Sequence, residues 1–350
     1  MVTAQADPRW EAGPLSGAAT RVLRDRPREG QPALAAARRL PIVLAPMTGS
    51  PQRYWPHLVM TALIVVWSAS FVVSKVALAS LSPPGLVATR FWIALACVLP
   101  FLRGSGLAEL RAAAPAGLAA GTALGLGYLL QMFGMTETSA SMGGLLAGLI
   151  VPLVAVGGFF FLHARLGSLS LTGLLLAIAG IVLICWPSDG GGAADGRRDT
   201  LRGILLQIGS STSYAGHVLL LSRFGRSVPT AAFICWQLLL VAVAGTTAAL
   251  LTGGLAASPE VTIAWTGELL LAIAYLGVLA TAVGIGVQSK VQHRVPPTHL
   301  ALLFALQPLF AALCGTALQG DRLGGLQVAG GSLIVLGVIV TSLDRRSGTN

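Results

Sequence analysis

Pro152 is followed by LVAVGGFFFLHARL (153–166) and LTGLLLAIAGIVLI (171–184), and Pro308 by LFAALCGTALQGDRL (309–323) and LQVAGGSLIVLGVIV (326–340). These two stretches are versions of one another. Pro152 and Pro308 are 156 positions apart, whereas Gly173 and Gly330, like Gly180 and Gly337, are 157 apart. One residue lost from the first connecting loop accounts for the step. Both copies are apolar over lengths that a soluble helix rarely sustains.

The rest of the chain has the same character. Of 350 residues, 54% are apolar and 10% charged, with a mean hydropathy of +0.77. Soluble domains carry about 25% charged residues, so this composition excludes a soluble enzyme, a nucleic-acid reader and a disordered protein. The 43 glycines suit close packing of helices in lipid. A spanning helix needs about 20 apolar residues, and the charge-poor windows predict ten: 57–80, 83–102, 115–136, 140–162, 168–186, 201–222, 229–252, 267–289, 297–319 and 324–343. The fold class expected is all-α integral membrane.

The four cysteines, Cys97, Cys185, Cys235 and Cys314, stand singly in apolar runs, so no disulfide, metal or cofactor site is expected. The formal charge of +10 has a topological use, because Lys and Arg hold loops on the cytoplasmic side. With the N-terminus inside, the other inside loops hold Arg103, Arg111, Arg165, Arg223, Arg226, Lys290, Arg294, Arg345 and Arg346; the outside loops hold Arg197, Arg198, Arg202 and Arg322. Both termini are therefore expected in the cytoplasm, at a plasma or inner membrane. Residues 1–56 carry eight arginines and no signal-peptide core, and read as a basic disordered tail. Initiation at Met47 is the alternative. The remaining organisation is a first five-helix unit (57–186), a polar linker PSDGGGAADGRRDT (187–200), a second unit (201–343) and a C-terminal tail (344–350). Five spans per unit is odd, so the second unit must sit upside down relative to the first. That is an inverted-repeat transporter plan, with its site near midplane between the units.

Particular residues carry a resemblance. WSASF (67–71) followed by Lys75, ATRFW (88–92) with Arg90, TSASMGGLLAGLIVPLVAV (138–156) and LALLFALQPLFAAL (300–313) are similar to the helices of the drug/metabolite transporter superfamily, in its ten-helix EamA-type branch. The resemblance covers 57–343. It implies a secondary transporter of a small organic metabolite or drug, working outward by alternating access. Two departures stand out. The family's acid before Arg-Leu is absent from HARL (163–166) but kept in GDRL (320–323), and Tyr214 stands where the family's sixth helix carries Trp.

Polar and aromatic residues deep in spans are the candidates for the substrate path: Trp67, Ser70, Arg90, Tyr128, Gln131, Tyr214, His217, Trp236, Gln288 and Gln307. The alternative for each is interhelical packing. Repeat symmetry between the first and sixth spans predicts that Trp67, Tyr214 and His217 lie near one another. Lys75 and Arg90 are the cations inside spans, either contacting a substrate carboxylate, pairing with Glu137, or snorkelling. All 13 acids fall in tails, loops or span edges, so a proton relay would use Glu137 or His217. Such a lining suits a small neutral or anionic organic solute. Pro152 and Pro308 each free the carbonyl four residues earlier, at Gly148 and Phe304, and read as paired kinks for gating. Gly121 and Gly125 read as a packing face.

The competing class is an integral-membrane enzyme acting on a lipid-linked substrate, which would need clustered acids and histidines. The histidines at 57, 163, 217, 293 and 299 are scattered. No GxxxxGK[ST] motif offers direct ATP drive. The partners expected are the bilayer and a small-molecule substrate, not nucleic acid, with the chain as monomer or homodimer.

Overall fold

In lipid a backbone N–H or C=O finds a partner only within its own helix, and the apolar runs fold accordingly. The computed structural model describes residues 55–162, 167–186, 199–225, 227–258, 263–291, 294–295, 300, 303–304 and 306–343. Its helices are α1 (Trp55–Leu78), α2 (Pro83–Val98, continued as a 3-10 turn to Leu102), α3 (Leu107–Thr136), α4 (Ala140–Ala147), α5 (Ile150–Leu162), α6 (Ser168–Cys185), α7 (Leu201–Phe224), α8 (Thr230–Leu251), α9 (Gly267–Ala274), a π-helical segment (Tyr275–Val283), α10 (Gly284–Val291), α11 (Leu306–Gln319) and α12 (Gly325–Ser342). No strand occurs among the described residues; one isolated bridge joins Leu81 to Ala256. The tail before Trp55, the linker 187–198, the HARL run 163–166 and the tail 344–350 lie outside the described residues.

Seven stretches among the described residues are long and apolar enough to cross a membrane: Trp55–Leu78, Pro83–Leu102, Leu107–Thr136, Ala140–Phe161, Leu201–Phe224, Thr230–Leu251 and Gly267–Val291. Ser168–Ile184 and Gly325–Thr341 are shorter apolar helices, and α11 supplies 14 residues of the expected ninth span. The chain is a helical membrane protein.

Three elements differ from the sequence reading. Helix α3 begins at Leu107, not at Pro115, which sits exposed inside it. A proline favours the first turn but does not compel a start where good helix formers precede it, and Leu107–Ala114 are such a run. The fourth span is two helices. Its ladder gives way to a turn at Gly148–Leu149, just before Pro152, whose missing N–H and ring disfavour a continuous helix. The eighth span contains the π segment, which widens the turn so that carbonyls within it can bond elsewhere.

Side-chain caps fix several helix ends. Ser82, Ser139, Thr200 and Thr266 precede α2, α4, α7 and α9, and each accepts from a backbone N–H of the following first turn. Close packing between helices uses glycine. Gly117, Gly121 and Gly125 of α3 lie against Phe233–Val241 of α8. Gly173 and Gly180 of α6 lie against Gly337 and Gly330 of α12. At Gly117, Gly173 and Gly180 a side chain would collide with the facing helix and at Gly121 and Gly125 it would crowd it, so the small residues set the helix separation.

Candidate functional site

A cavity of about 110 Å³ lies inside the bundle. That is somewhat less than the roughly 150 Å³ of a dry cavity that accepts benzene, so a larger solute requires its walls to move. Trp67, Ser70 and Phe71 reach it from α1, Leu124, Tyr128 and Gln131 from α3, and Ala147 and Ile150 from α4 and α5. Tyr214, His217 and Val218 come from α7, Ile285 and Gln288 from α10, and Phe304 and Gln307 from the ninth expected span. No charged side chain is among them.

The sequence candidates therefore converge. Trp67, Ser70, Tyr128, Gln131, Tyr214, His217, Gln288 and Gln307 share this lining. The expected grouping of Trp67, Tyr214 and His217 is present in it.

The walls are held by a defined set of bonds. Trp67 Nε1 donates to the Ala280 carbonyl at 2.9 Å, inside the π segment, and its ring stacks on Phe304. Tyr128 meets Phe91 and Tyr214 edge-on, with centroids 4.8 and 5.3 Å away. Tyr214 Oη donates to Gln131 Oε1 at 3.1 Å. Gln237 Nε2 donates to the Phe233 carbonyl, which turns its Oε1 toward His217 Nε2 at 2.8 Å. An amide oxygen only accepts, so His217 carries its proton on Nε2 and keeps Nδ1 as an acceptor.

Arg90 is not a lining residue. It is buried, with Nε and Nη2 donating to Thr281 Oγ1 at 3.1 and 2.9 Å. Its guanidinium lies 4.5 Å from the Tyr128 ring centroid, a cation–π contact. The π segment matters here too, since Thr281 Oγ1 donates to the Leu276 carbonyl five residues earlier and offers its lone pairs to Arg90. The charge thus stands directly behind a tyrosine that faces the cavity.

Two candidates fall elsewhere. Trp236 packs over Gly117 and donates to the Leu110 carbonyl at 2.8 Å, an interhelical brace. Glu137 caps the end of α3 and pairs with Arg202 at 2.8 Å and with Thr200; it does not pair with Arg90 and does not reach the cavity. Pro152 follows the break between α4 and α5, and Pro308 packs against Gly148.

The sequence reading placed every acid at the margins and gave none a role in the bundle beyond Glu137. Asp199 and Asp321 correct this. Asp199 accepts from the Ser139 backbone N–H and from Gln327 Nε2, and Asp321 accepts from the Ser141 N–H at 2.9 Å. Burial pushes the Asp199 carboxyl above the usual aspartate range, against the Ser139 bonds that lower it; the neighbouring Asp321 raises it further and Lys75 lowers it. Lys75, in the last turn of α1, therefore has an acid, Asp199, nearby. Gln237, a candidate beside Trp236 in the sequence, orients His217; Phe71, Phe304 and Thr281 were missed, since such a residue in an apolar run does not reveal its facing.

A helical bundle with an uncharged, mostly apolar cavity that carries a few hydrogen-bonding groups suits a membrane protein that moves a small solute. The profile of the EamA-like transporter family matches residues 54–186 and 201–343, and the chain belongs to that family. It is a membrane transporter. It is 26% identical over 292 residues to a protein of Escherichia coli K12 named a probable amino-acid metabolite efflux pump, covering 81% of this chain and 93% of that one. It is 24% identical over 292 residues to an uncharacterized transporter of Archaeoglobus fulgidus, covering 83% and 87%. A solved crystal structure has the same fold, with a TM-score of 0.56 at 20% identity, over 81% of this chain and 94% of that one.

Proposed function

We propose that the chain exports a small organic solute, neutral or anionic at its polar end, by alternating access between two inverted five-helix units, 57–186 and 201–343. The observation that carries this reading is the cavity. Side chains from both units line it, and it holds hydrogen-bonding groups but no carboxylate. Trp67, Phe71, Tyr128, Tyr214 and Phe304 offer flat apolar contact, while Ser70, Gln131, His217, Gln288 and Gln307 offer donors and acceptors. The buried Arg90 behind Tyr128 biases the site toward negative charge, because a charge in a low-dielectric interior acts over several ångströms. The match of the family profile to two segments of similar length supports the two-unit reading. The E. coli relative's name supports an outward direction and an amino-acid-type metabolite. The ten-span count and both termini in the cytoplasm rest on the charge-free windows and the Lys/Arg counts. His217 is the group proposed for a proton relay; Glu137, held by Arg202, is not carried forward for that role.

The test is export of metabolites from cells expressing the chain. Solutes that accumulate outside with the wild type, and no longer do so with Tyr214→Ala or His217→Ala at equal membrane abundance, support the reading. Unchanged export in both variants refutes the site, and accumulation inside the cells refutes the direction.

A further inference from the structure

Toward one end of the bundle, α4 and α11 touch across the two units. A Cβ on Gly144 of α4 would collide with Ala311 of α11, and Gly148 lies against Pro308. At the same end Asp321, 6% exposed, accepts from the Ser141 N–H in the first turn of α4. Its own N–H donates to the Gly315 carbonyl. Gly315 has no side chain, and a Cβ there would lie 2.6 Å from Asp321 Oδ2 and 2.8 Å from Ser141 N. Glycine is thus what lets the carboxylate pass from the second unit to the first. Asp199 lies near Asp321 and has Lys75 nearby; it accepts from Gln327 Nε2, and Gln327 is oriented by the Gly324 N–H on its Oε1.

This arrangement does more than cap a helix. An ordinary N-cap comes from the residue next to the helix, and α4 already has one in Ser139. Asp321 comes from the other unit, 180 residues away in sequence. Its bond to Ser141 lasts only while α4 and α11 touch at this end. A carboxylate on a helix N-terminus gains from both the free N–H groups and the helix dipole.

We propose that Asp321 is a positioning residue of the transport cycle, a latch whose bond to Ser141 holds this end of the cavity closed and must break for the cavity to open there. The proposal rests on the alternating-access reading. It assigns the seal to one carboxylate rather than to apolar packing alone.

The test uses the full chain with its four cysteines replaced by alanine and a single reporter, Ser70→Cys, in the cavity wall. A membrane-impermeant thiol reagent is applied to right-side-out and inside-out vesicles. With Asp321 intact, the reporter reacts readily from the face that carries Trp55 and only slowly, largely protected, from the opposite face. Asp321→Asn is expected to raise its reaction from the protected face about tenfold, the scale of losing one hydrogen bond to a charged group. Gly315→Ala, which places a methyl group between the carboxylate and Ser141 without altering charge, is expected to do the same and remains available if Asp321→Asn does not insert. An unchanged slow rate from the protected face in every variant that inserts overturns the latch. A reporter that never reacts from one of the two faces, with Asp321 intact or replaced, refutes the alternating-access reading instead.

Discussion

Gly180 and Gly330 face each other backbone to backbone: a Cβ on either would lie 2.5 Å from the carbonyl oxygen of the other. Gly173 and Gly337 meet in the same way seven residues along each helix, so α6 and α12 run antiparallel. The sequence repeat pairs Gly173 with Gly330 and Gly180 with Gly337. Exchanging the two units therefore turns one contact into the other. A self-complementary contact of this kind is the expectation for two-fold related units, and the inverted reading leans on it.

These contacts lead to a stability prediction. Gly180→Ala and Gly330→Ala should each destabilise the protein by roughly 1–3 kcal/mol, the usual scale of overpacking. Thermal unfolding in detergent measures this. Substitution of Gly216, which has open space around it, serves as the control. Equal midpoints for all three would contradict the close approach.

Arg90 gives a second prediction. Its planar fork reaches one hydroxyl through two nitrogens while the guanidinium lies on Tyr128, a geometry that an ammonium does not reproduce. Arg90→Lys should therefore lose most export of an anionic solute while keeping the positive charge. Thr281→Ala, which removes the acceptor and leaves the guanidinium underbonded, should cost about 1–3 kcal/mol of stability. Full export by Arg90→Lys would remove the fork from the account.

The Asp199 carboxyl provides a pH-dependent one. Its folded pKa is raised, chiefly by burial. Between the unfolded value, about 3.9, and that raised value, the folded state binds more protons than the unfolded one. Its contribution is fully present below the unfolded value and is lost as pH rises through the folded one. Asp199→Asn removes this dependence. The variant's stability relative to wild type is expected to improve as pH rises from below 4 toward neutrality; a constant difference across that range would contradict the shift.

The wall of the cavity yields a fourth. Tyr214→Phe removes the bond to Gln131 but keeps the ring against Tyr128, whereas Tyr214→Ala removes both. Export should fall further for alanine than for phenylalanine at equal abundance. Equal export by both variants would mean that Tyr214 does not shape the path.

Much of this was legible before any coordinates. Tyr128, Gln131, Tyr214 and His217 announce themselves because a hydrogen-bonding side chain in an apolar span needs a partner or a cavity. Trp236 sent the same signal and proved to be a brace, since an indole N–H is satisfied equally well by a neighbouring helix's carbonyl. Phe304 was invisible, because an aromatic ring in an apolar run looks alike whether it faces lipid or a cavity. The π segment was illegible for a related reason: Tyr275–Val283 has an ordinary helical composition, and only the bonds of Trp67 and Thr281 show what the widened turn does. Asp321 stood out as the acid of GDRL (320–323) that the resemblance implies, without a partner; its insertion against α4 depends on a contact between distant segments, which local pattern does not carry.

The most direct test of the central claim is the topology of the two units. Single cysteines in the 187–200 linker and after residue 343, in an otherwise cysteine-free chain, can be reacted with an impermeant reagent in oriented vesicles. The account predicts that they react from opposite faces of the membrane. Reaction of both from the same face would mean that the second unit does not span an odd number of times, and the inverted arrangement would be contradicted.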